Sequence, residues 1–144
     1  MEMGDIMEQL NFTVPCLFGL EGLVGDELRR MGLSDVRVED RRAHFTGSFL
    51  DMARANLRLR MGERVMLLLG RFPARTFEEL FQGVKALPLE DFIPRDGQFP
   101  VKGYSLNSQL HSVPACQAIV KKAAVDRLGG KYGLTWLPKT GAIY

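Results

Sequence analysis

Residues 35–46, DVRVEDRRAHFT, decide how the first half of the chain folds. Val36 and Val38 alternate with Asp35, Arg37 and Glu39, which is the two-residue period of a half-buried strand. Asp40 and Arg41 form the turn, and Ala43–Thr46 returns as a second strand. A helical pattern stands on each side of this hairpin. Upstream, Leu20, Leu23, Val24, Leu28 and Met31 recur at helical spacing, and Gly32 closes that helix as a left-handed cap. Downstream, Gly47 breaks the strand and Ser48 is an N-cap for a helix running through Phe49, Met52, Ala55 and Leu59.

Working outward, Asn11–Cys16 alternates and reads as a strand ended by Pro15 and the Gly19 turn. Arg64–Phe72 holds Val65 to Leu69 as an unbroken apolar run, which predicts a central strand covered on both faces. The order strand, helix, strand, strand, helix, strand is the split βαββαβ arrangement of a ferredoxin-like unit, assigned to residues 10–72. The pattern begins only at Leu10, so Met1–Ile6 reads as a frayed leader, with Met7 as an alternative start.

A second α/β unit is expected over residues 73–144, giving an α+β chain overall. Thr76 caps a helix and Glu79 reaches back in a capping box, with Phe77, Leu80, Phe81 and Val84 as the buried stripe. Pro88 ends it, Leu89–Ile93 adds a turn, and Pro94, Asp96 and Gly97 make a loop. Phe99–Leu106 reads as a strand bulged at Gly103, Asn107–His111 as a polar connector, and Val113–Leu128 as a helix stopped by Gly129 and Gly130. Leu134–Leu137 is the last strand-like stretch.

Composition is that of an ordinary globular chain: 46% hydrophobic and 25% charged residues in 144 rule out a disordered or collagenous class. No apolar run is long enough to span a bilayer, so a cytoplasmic location without membrane association is expected. Cys16 and Cys116 lack partners at metal spacing and read as buried, inert thiols. The net charge of +2 is unevenly spread. From Gly97 to Tyr144, six Lys and Arg face the single acid Asp126, a net +5, which leaves −3 for residues 1–96. Such a segment suits a polyanion or is simply a solvated surface.

No dinucleotide fingerprint or P-loop occurs, because Gly19, Gly22 and Gly25 have the wrong spacing. His44 and His111 have no metal or nucleophile companions, and Glu78, Glu79, Glu90 and Asp91 read as a solvated helix face. No catalytic, cofactor-binding or metal-binding residue is therefore assigned. One constellation stands out. Ser105, Asn107, Ser108, Gln109 and Ser112 lead into a helix N-terminus, whose free N–H groups suit a phosphate. Gln117, Lys121 and Lys122 project from the face opposite Cys116, Ile119, Val120 and Ala123. Lys102, Tyr104, Tyr132 and Trp136 offer charge and stacking surfaces for unpaired bases. Lys102, Ser105, Asn107, Ser108, Ser112, Gln117, Lys121 and Lys122 are the candidate RNA-binding residues, with Lys85 in the acidic segment expected to lie outside the interface. The alternative is an ordinary capped amphipathic helix with core aromatics.

Several of these stretches resemble one family: Gly19-Leu20-Glu21, Ala53 to Arg60 with Glu63-Arg64-Val65, Thr76 to Phe81, Leu87-Pro88, Ile93-Pro94, Ser112 to Gln117 and Ile119 to Ala123. Their ordered series is similar to the N-terminal region of bacterial THUMP-containing RNA methyltransferases, in particular those modifying guanine N2 of large-subunit ribosomal RNA. The resemblance implies a ferredoxin-like region joined to a THUMP domain that grips structured RNA, most readily rRNA and alternatively tRNA. It implies delivery of that RNA to a C-terminal methyltransferase domain using S-adenosylmethionine. Its RNA surface carries over to Ser112–Lys122, Lys102 and Ser105. The chain departs from the family in ending at Tyr144, so the THUMP domain is expected to be truncated before its last strands, with no cofactor in this chain and no activity alone. Competing expectations are the RNA-binding part of a tRNA-modifying THUMP enzyme, or a protein-interaction domain without RNA contact.

Overall fold

The computed structural model describes residues 9–137 and 141–144, and the expected leader Met1–Ile6 lies outside them. The chain divides into two compact units, residues 1–68 and 69–144, each with its own core.

The first unit is a four-stranded antiparallel sheet in the order β2-β3-β1-β4 with two helices. Its elements are β1 (Leu10–Pro15), α1 (Glu21–Arg30), β2 (Ser34–Glu39), β3 (Arg42–Gly47), α2 (Phe49–Arg58) and β4 (Met66–Leu67). The hairpin pairs Val38 with Ala43 and Glu39 with Arg42 around the expected Asp40–Arg41 turn. Phe12 and Phe45 are direct cross-strand partners whose rings stack at 5.1 Å, and both are fully buried with Val14, Val24 and Leu28. Gly32 takes φ +76° after α1, as its cap position requires. Ser48 accepts from the Asp51 amide while the Asp51 carboxylate accepts from the Ser48 amide, closing a capping box at α2.

The apolar run 64–72 is not a central strand. Only Met66 and Leu67 pair, with β1 at the sheet edge, and Met66 is 40% exposed. The run is apolar because it serves two cores in succession: Val65 and Leu67 pack in the first, Leu69 and Phe72 in the second.

Polar residues within the quoted stretches hold this unit together. Glu21 accepts from Gly19 N at 2.9 Å and Arg41 N at 2.7 Å, clipping the start of α1 to the hairpin turn. Arg54 donates to the Met31 carbonyl and pairs with Asp51, and Asn56 accepts from Val65 N. Glu27, only 7% exposed, accepts from Arg60 N, Arg60 Nε and Met61 N. Burial alone would raise its pKa, but these bonds outweigh burial and hold the carboxyl below its ordinary value.

The second unit contains α3 (Phe77–Lys85), a 3-10 turn at Leu89–Asp91 and α4 (Val113–Tyr132). The helices pack on a core of Val84, Leu89, Phe99, Ala123, Ala124 and Leu128. Thr76 accepts from the Glu79 amide as expected, but the Glu79 carboxylate accepts from Arg75 N instead of closing the box on Thr76. Phe77 is 41% exposed, so the buried stripe begins at Leu80. The glycine pair does not stop α4. The helix continues to Tyr132, whose hydroxyl donates to the Ile93 and Glu90 carbonyls, and ends where Gly133 adopts φ +64° and donates to the Gly129 carbonyl.

Neither Phe99–Leu106 nor Leu134–Leu137 forms a strand. A strand exists through its ladder, and among the described residues the pairing nearest to either is a single parallel bridge between Gln98 and Ile143.

Candidate nucleic-acid interface

The connector before α4 is folded by its own hydroxyls. Ser105 Oγ donates to the Leu110 carbonyl at 2.8 Å, Ser108 Oγ accepts from Leu110 N at 3.1 Å, and Asn107 sits in the left-handed region at φ +48°. Two side chains expected to face a ligand are thus partly engaged in shaping the loop. Ser112 occupies the N-cap of α4, where its carbonyl accepts from Cys116 N but its hydroxyl makes no cap bond.

The folded loop, residues 70–74 and the first two turns of α4 enclose an open cleft of about 530 Å3. Lys102, Ser105, Ser108 and Gln117 line it; Asn107, Ser112, Lys121 and Lys122 do not. Arg71 and Tyr104 are the further polar members. Nothing in the sequence singled out Arg71, which fell inside the expected strand, whereas Tyr104 was legible as a stacking surface and is 72% exposed. Cys116 also lines the cleft and is half-buried, unlike the buried Cys16. The lining holds two cations, Arg71 and Lys102, and no carboxylate.

Lys121 and Lys122 diverge, as side chains one position apart on a helix must. The Lys121 ammonium donates to the Phe99 carbonyl at 2.8 Å and lies 3.9 Å from that ring's centre. Lys122 instead lies over Phe81 at 5.7 Å, and Lys85 lies over the same ring at the same distance. Lys85 therefore shares a surface with Lys122 rather than standing apart from it. Tyr132 is half-buried with its hydroxyl on the Ile93 and Glu90 carbonyls, while Trp136 is 71% exposed.

Part of the basic excess is neutralised internally. Arg127 Nη2 and Nε reach the Glu90 oxygens at 2.6 and 2.9 Å, and Lys131 Nζ stands 3.7 Å away. The Arg127 bonds hold the Glu90 carboxyl down at about 2. Glu90 is thus a structural acid and not one of a solvated row. Lys102 and Lys122, by contrast, have no carboxylate partner among the described residues. No group of three potential metal ligands occurs among those residues, and no helix is long and apolar enough to cross a membrane.

Comparison with known proteins gives two adjacent domain matches: the RlmL ferredoxin-like domain over residues 11–66 and the THUMP domain over residues 74–136. "Putative RNA methyltransferase YpsC" of Bacillus subtilis is 40% identical over 140 residues, 96% of this chain and 36% of that protein. Ribosomal RNA large subunit methyltransferase K/L of Pseudomonas putida is 30% identical over 88% of this chain, which spans 17% of it. The crystal structure of a predicted N6-adenine-specific DNA methylase from Listeria monocytogenes superimposes with a TM-score of 0.91 at 47% identity, over 96% of this chain and 36% of that one. The structure described as "SMU.472, a putative methyltransferase complexed with SAH" superimposes with a TM-score of 0.86 at 40% identity, over 96% of this chain and 40% of that one. The chain spans well under half of each of these proteins. The chain thus carries an RlmL ferredoxin-like domain followed by a THUMP domain, and in both it is similar to part of these RNA methyltransferases.

Proposed function

We propose that this chain is the RNA-binding module of a cytoplasmic, S-adenosylmethionine-dependent methyltransferase acting on guanine N2 of large-subunit rRNA. Its role is to position structured RNA for a methyltransferase domain of the same enzyme. Residues 10–72 form the ferredoxin-like region and 73–144 the THUMP domain in this reading. The observation that carries it is the THUMP match over residues 74–136, within which lies a cationic cleft free of carboxylates. Two curated relatives are named for RNA and one solved relative for DNA; the THUMP match favours RNA.

Lys102, Ser105, Ser108 and Gln117, joined by Arg71, are the central contacts, and Lys122 with Lys85 is a second backbone contact. Asn107, Ser112 and Lys121 act by shaping that surface. The cofactor belongs to the methyltransferase domain in this reading, and one solved relative is a complex with SAH.

Equilibrium binding of this chain to large-subunit rRNA fragments, tRNA and duplex DNA across a salt series tests the reading. Tightest binding to the rRNA fragments, weakening linearly in log affinity against log salt, is expected. Equal affinity for duplex DNA, or none for any RNA, overturns it.

A further inference from the structure

We propose that a second cleft of the THUMP unit, lined by Phe99, Pro100 and Trp136, receives one unpaired base of the RNA, stacked on the Trp136 indole. The inference rests on the RNA-binding reading above and specifies what part of the RNA this surface takes.

The cleft lies wholly within the second unit, where residues 97–100 meet Lys121 and Val125 of α4 and the residues that follow that helix. Its volume of about 620 Å3 falls in the range of about 300–1,000 Å3 typical of sites for small organic groups. Phe99, Pro100, Val125, Leu137 and Ile143 make most of its wall apolar, as the burial of a flat ring requires. Trp136 stands at this wall 71% exposed, although tryptophan is on average among the well-buried residues. Among the described residues its indole makes no hydrogen bond and no contact with another ring or with a cation, so its face and its Nε1 donor are both available. The neighbouring Thr135 is also exposed and lines the cleft, and its hydroxyl has no hydrogen bond among those residues, which offers a base edge a donor and an acceptor.

Charge decides between an RNA base and an apolar protein segment as the occupant. Among the described residues the lining contains one charged group, Lys121, and no carboxylate. The Lys121 ammonium is held by the Phe99 carbonyl at 2.8 Å, so it acts on the cleft through its field and not as an open contact. The sequence from Gly97 to Tyr144 carries a net +5. A positive field around an exposed indole draws a polyanion whose bases have π faces. Stacking on an aromatic side chain is available only to a base that has left its own helix. Residues 97–100 line this cleft and residues 101–106 line the one beside α4, so a strand that follows this segment passes from Trp136 to the backbone contact at Lys102.

Trp136 is the single tryptophan of the chain, so indole fluorescence reports on this cleft alone. The test titrates the chain with two RNAs of one sequence, a hairpin with an unpaired tail and the same hairpin blunt-ended, and with the mononucleotide of the tail. Tailed RNA is expected to quench the emission, and blunt RNA to leave it unchanged. Trp136→Ala is expected to weaken tailed-RNA binding roughly 5- to 150-fold without affecting the blunt hairpin. Trp136→Phe keeps an aromatic face and is expected to retain most of the affinity. The side chain is exposed, so both variants should fold as the wild type does, with circular dichroism as the check. Wild-type affinity of folded Trp136→Ala for tailed RNA, or equal quenching by the two hairpins, overturns the cleft while the RNA-binding reading stands. Failure of wild type to bind either hairpin overturns both. Quenching by the mononucleotide as strong as by tailed RNA also overturns the proposal, by making the cleft a free-nucleotide site. Self-association that Trp136→Ala abolishes at unchanged RNA affinity overturns it too, by making the cleft a groove for protein.

Discussion

Glu90 takes the guanidinium of Arg127 side-on, with Nη2 2.6 Å from Oε1 and Nε 2.9 Å from Oε2, and so fastens the turn after α3 to the C-terminal part of α4. Both side chains are about four-fifths covered. The folded carboxyl titrates near 2 instead of 4.5, so the pair's contribution to stability is present above about pH 4.5 and is lost as pH falls toward 2. Denaturant melts of wild type and Glu90→Gln check this. The wild type is expected to be the more stable above pH 4.5, and its advantage to shrink through that window; parallel curves would remove the pair from the stability of this unit.

The end of α4 gives a paired prediction about two nearby glycines. Gly130 lies inside the helix, and a Cβ added there meets nothing within 4 Å. Gly130→Ala is expected to stabilise by about 0.5–1 kcal/mol. Gly133 adopts φ +64°, so Gly133→Ala is expected to cost about 1–2 kcal/mol. Urea midpoints at unchanged slope read both effects, and two shifts of the same sign would contradict the observed cap position.

Ser48→Ala removes the acceptor for the Asp51 amide at the start of α2, a bond of 3.2 Å. A loss of about 0.5–2 kcal/mol is expected. Hydrogen exchange localises it: the Asp51 amide should lose protection more than amides in the middle of α2. Unchanged exchange at Asp51 would mean the hydroxyl contributes nothing there.

The lysines of the second unit should separate by role. Lys102→Ala and Lys122→Ala are each expected to flatten the slope of log RNA affinity against log salt by roughly 0.7–0.9. Lys85→Ala should resemble Lys122→Ala, because both ammonium groups lie over Phe81. Lys121→Ala should chiefly lower the melting temperature, since it deletes the donor to the Phe99 carbonyl. A salt slope unmoved by Lys102→Ala would take the cleft out of contact with the RNA backbone.

Where a local pattern serves one core, it is legible in the sequence alone. β3 alternates buried Ala43 and Phe45 with wetter neighbours, and the stripe of α1 has one core to meet, so period alone places them, whereas Val38 of the edge strand β2 is 44% exposed and the expected half-buried face of β2 is not formed there. Arg64–Phe72 failed because its apolar residues divide between two cores, and periodicity cannot tell that from a strand buried on both faces. The Gly129-Gly130 pair failed because the anchoring of Tyr132 to the Ile93 and Glu90 carbonyls favours a longer helix than local propensity does. Phe99–Leu106 has strand-like residues, yet its backbone conformation depends on partners that the local sequence does not contain. At the candidate site, Lys102, Ser105, Ser108 and Gln117 converge because they lie near one another in sequence around the start of α4. Arg71 is brought in by tertiary packing from some thirty residues away, and no local signal announces that.

The place of β1 inside the first sheet bears on how the chain is made. β1 leaves the ribosome before β3 and β4, but it lies between them, and neither exists until residues 42–47 and 66–67 have been added. At about 5–20 residues per second, roughly two to six seconds separate completion of Pro15 from completion of Gly47. Through that interval Phe12 and Val14, which end fully buried, have no ladder partner on either side. The nascent segment Leu10–Pro15 is therefore the part of this unit most in need of shelter during synthesis, and slowed translation between β1 and β3 should increase aggregation more than the same delay placed after β3.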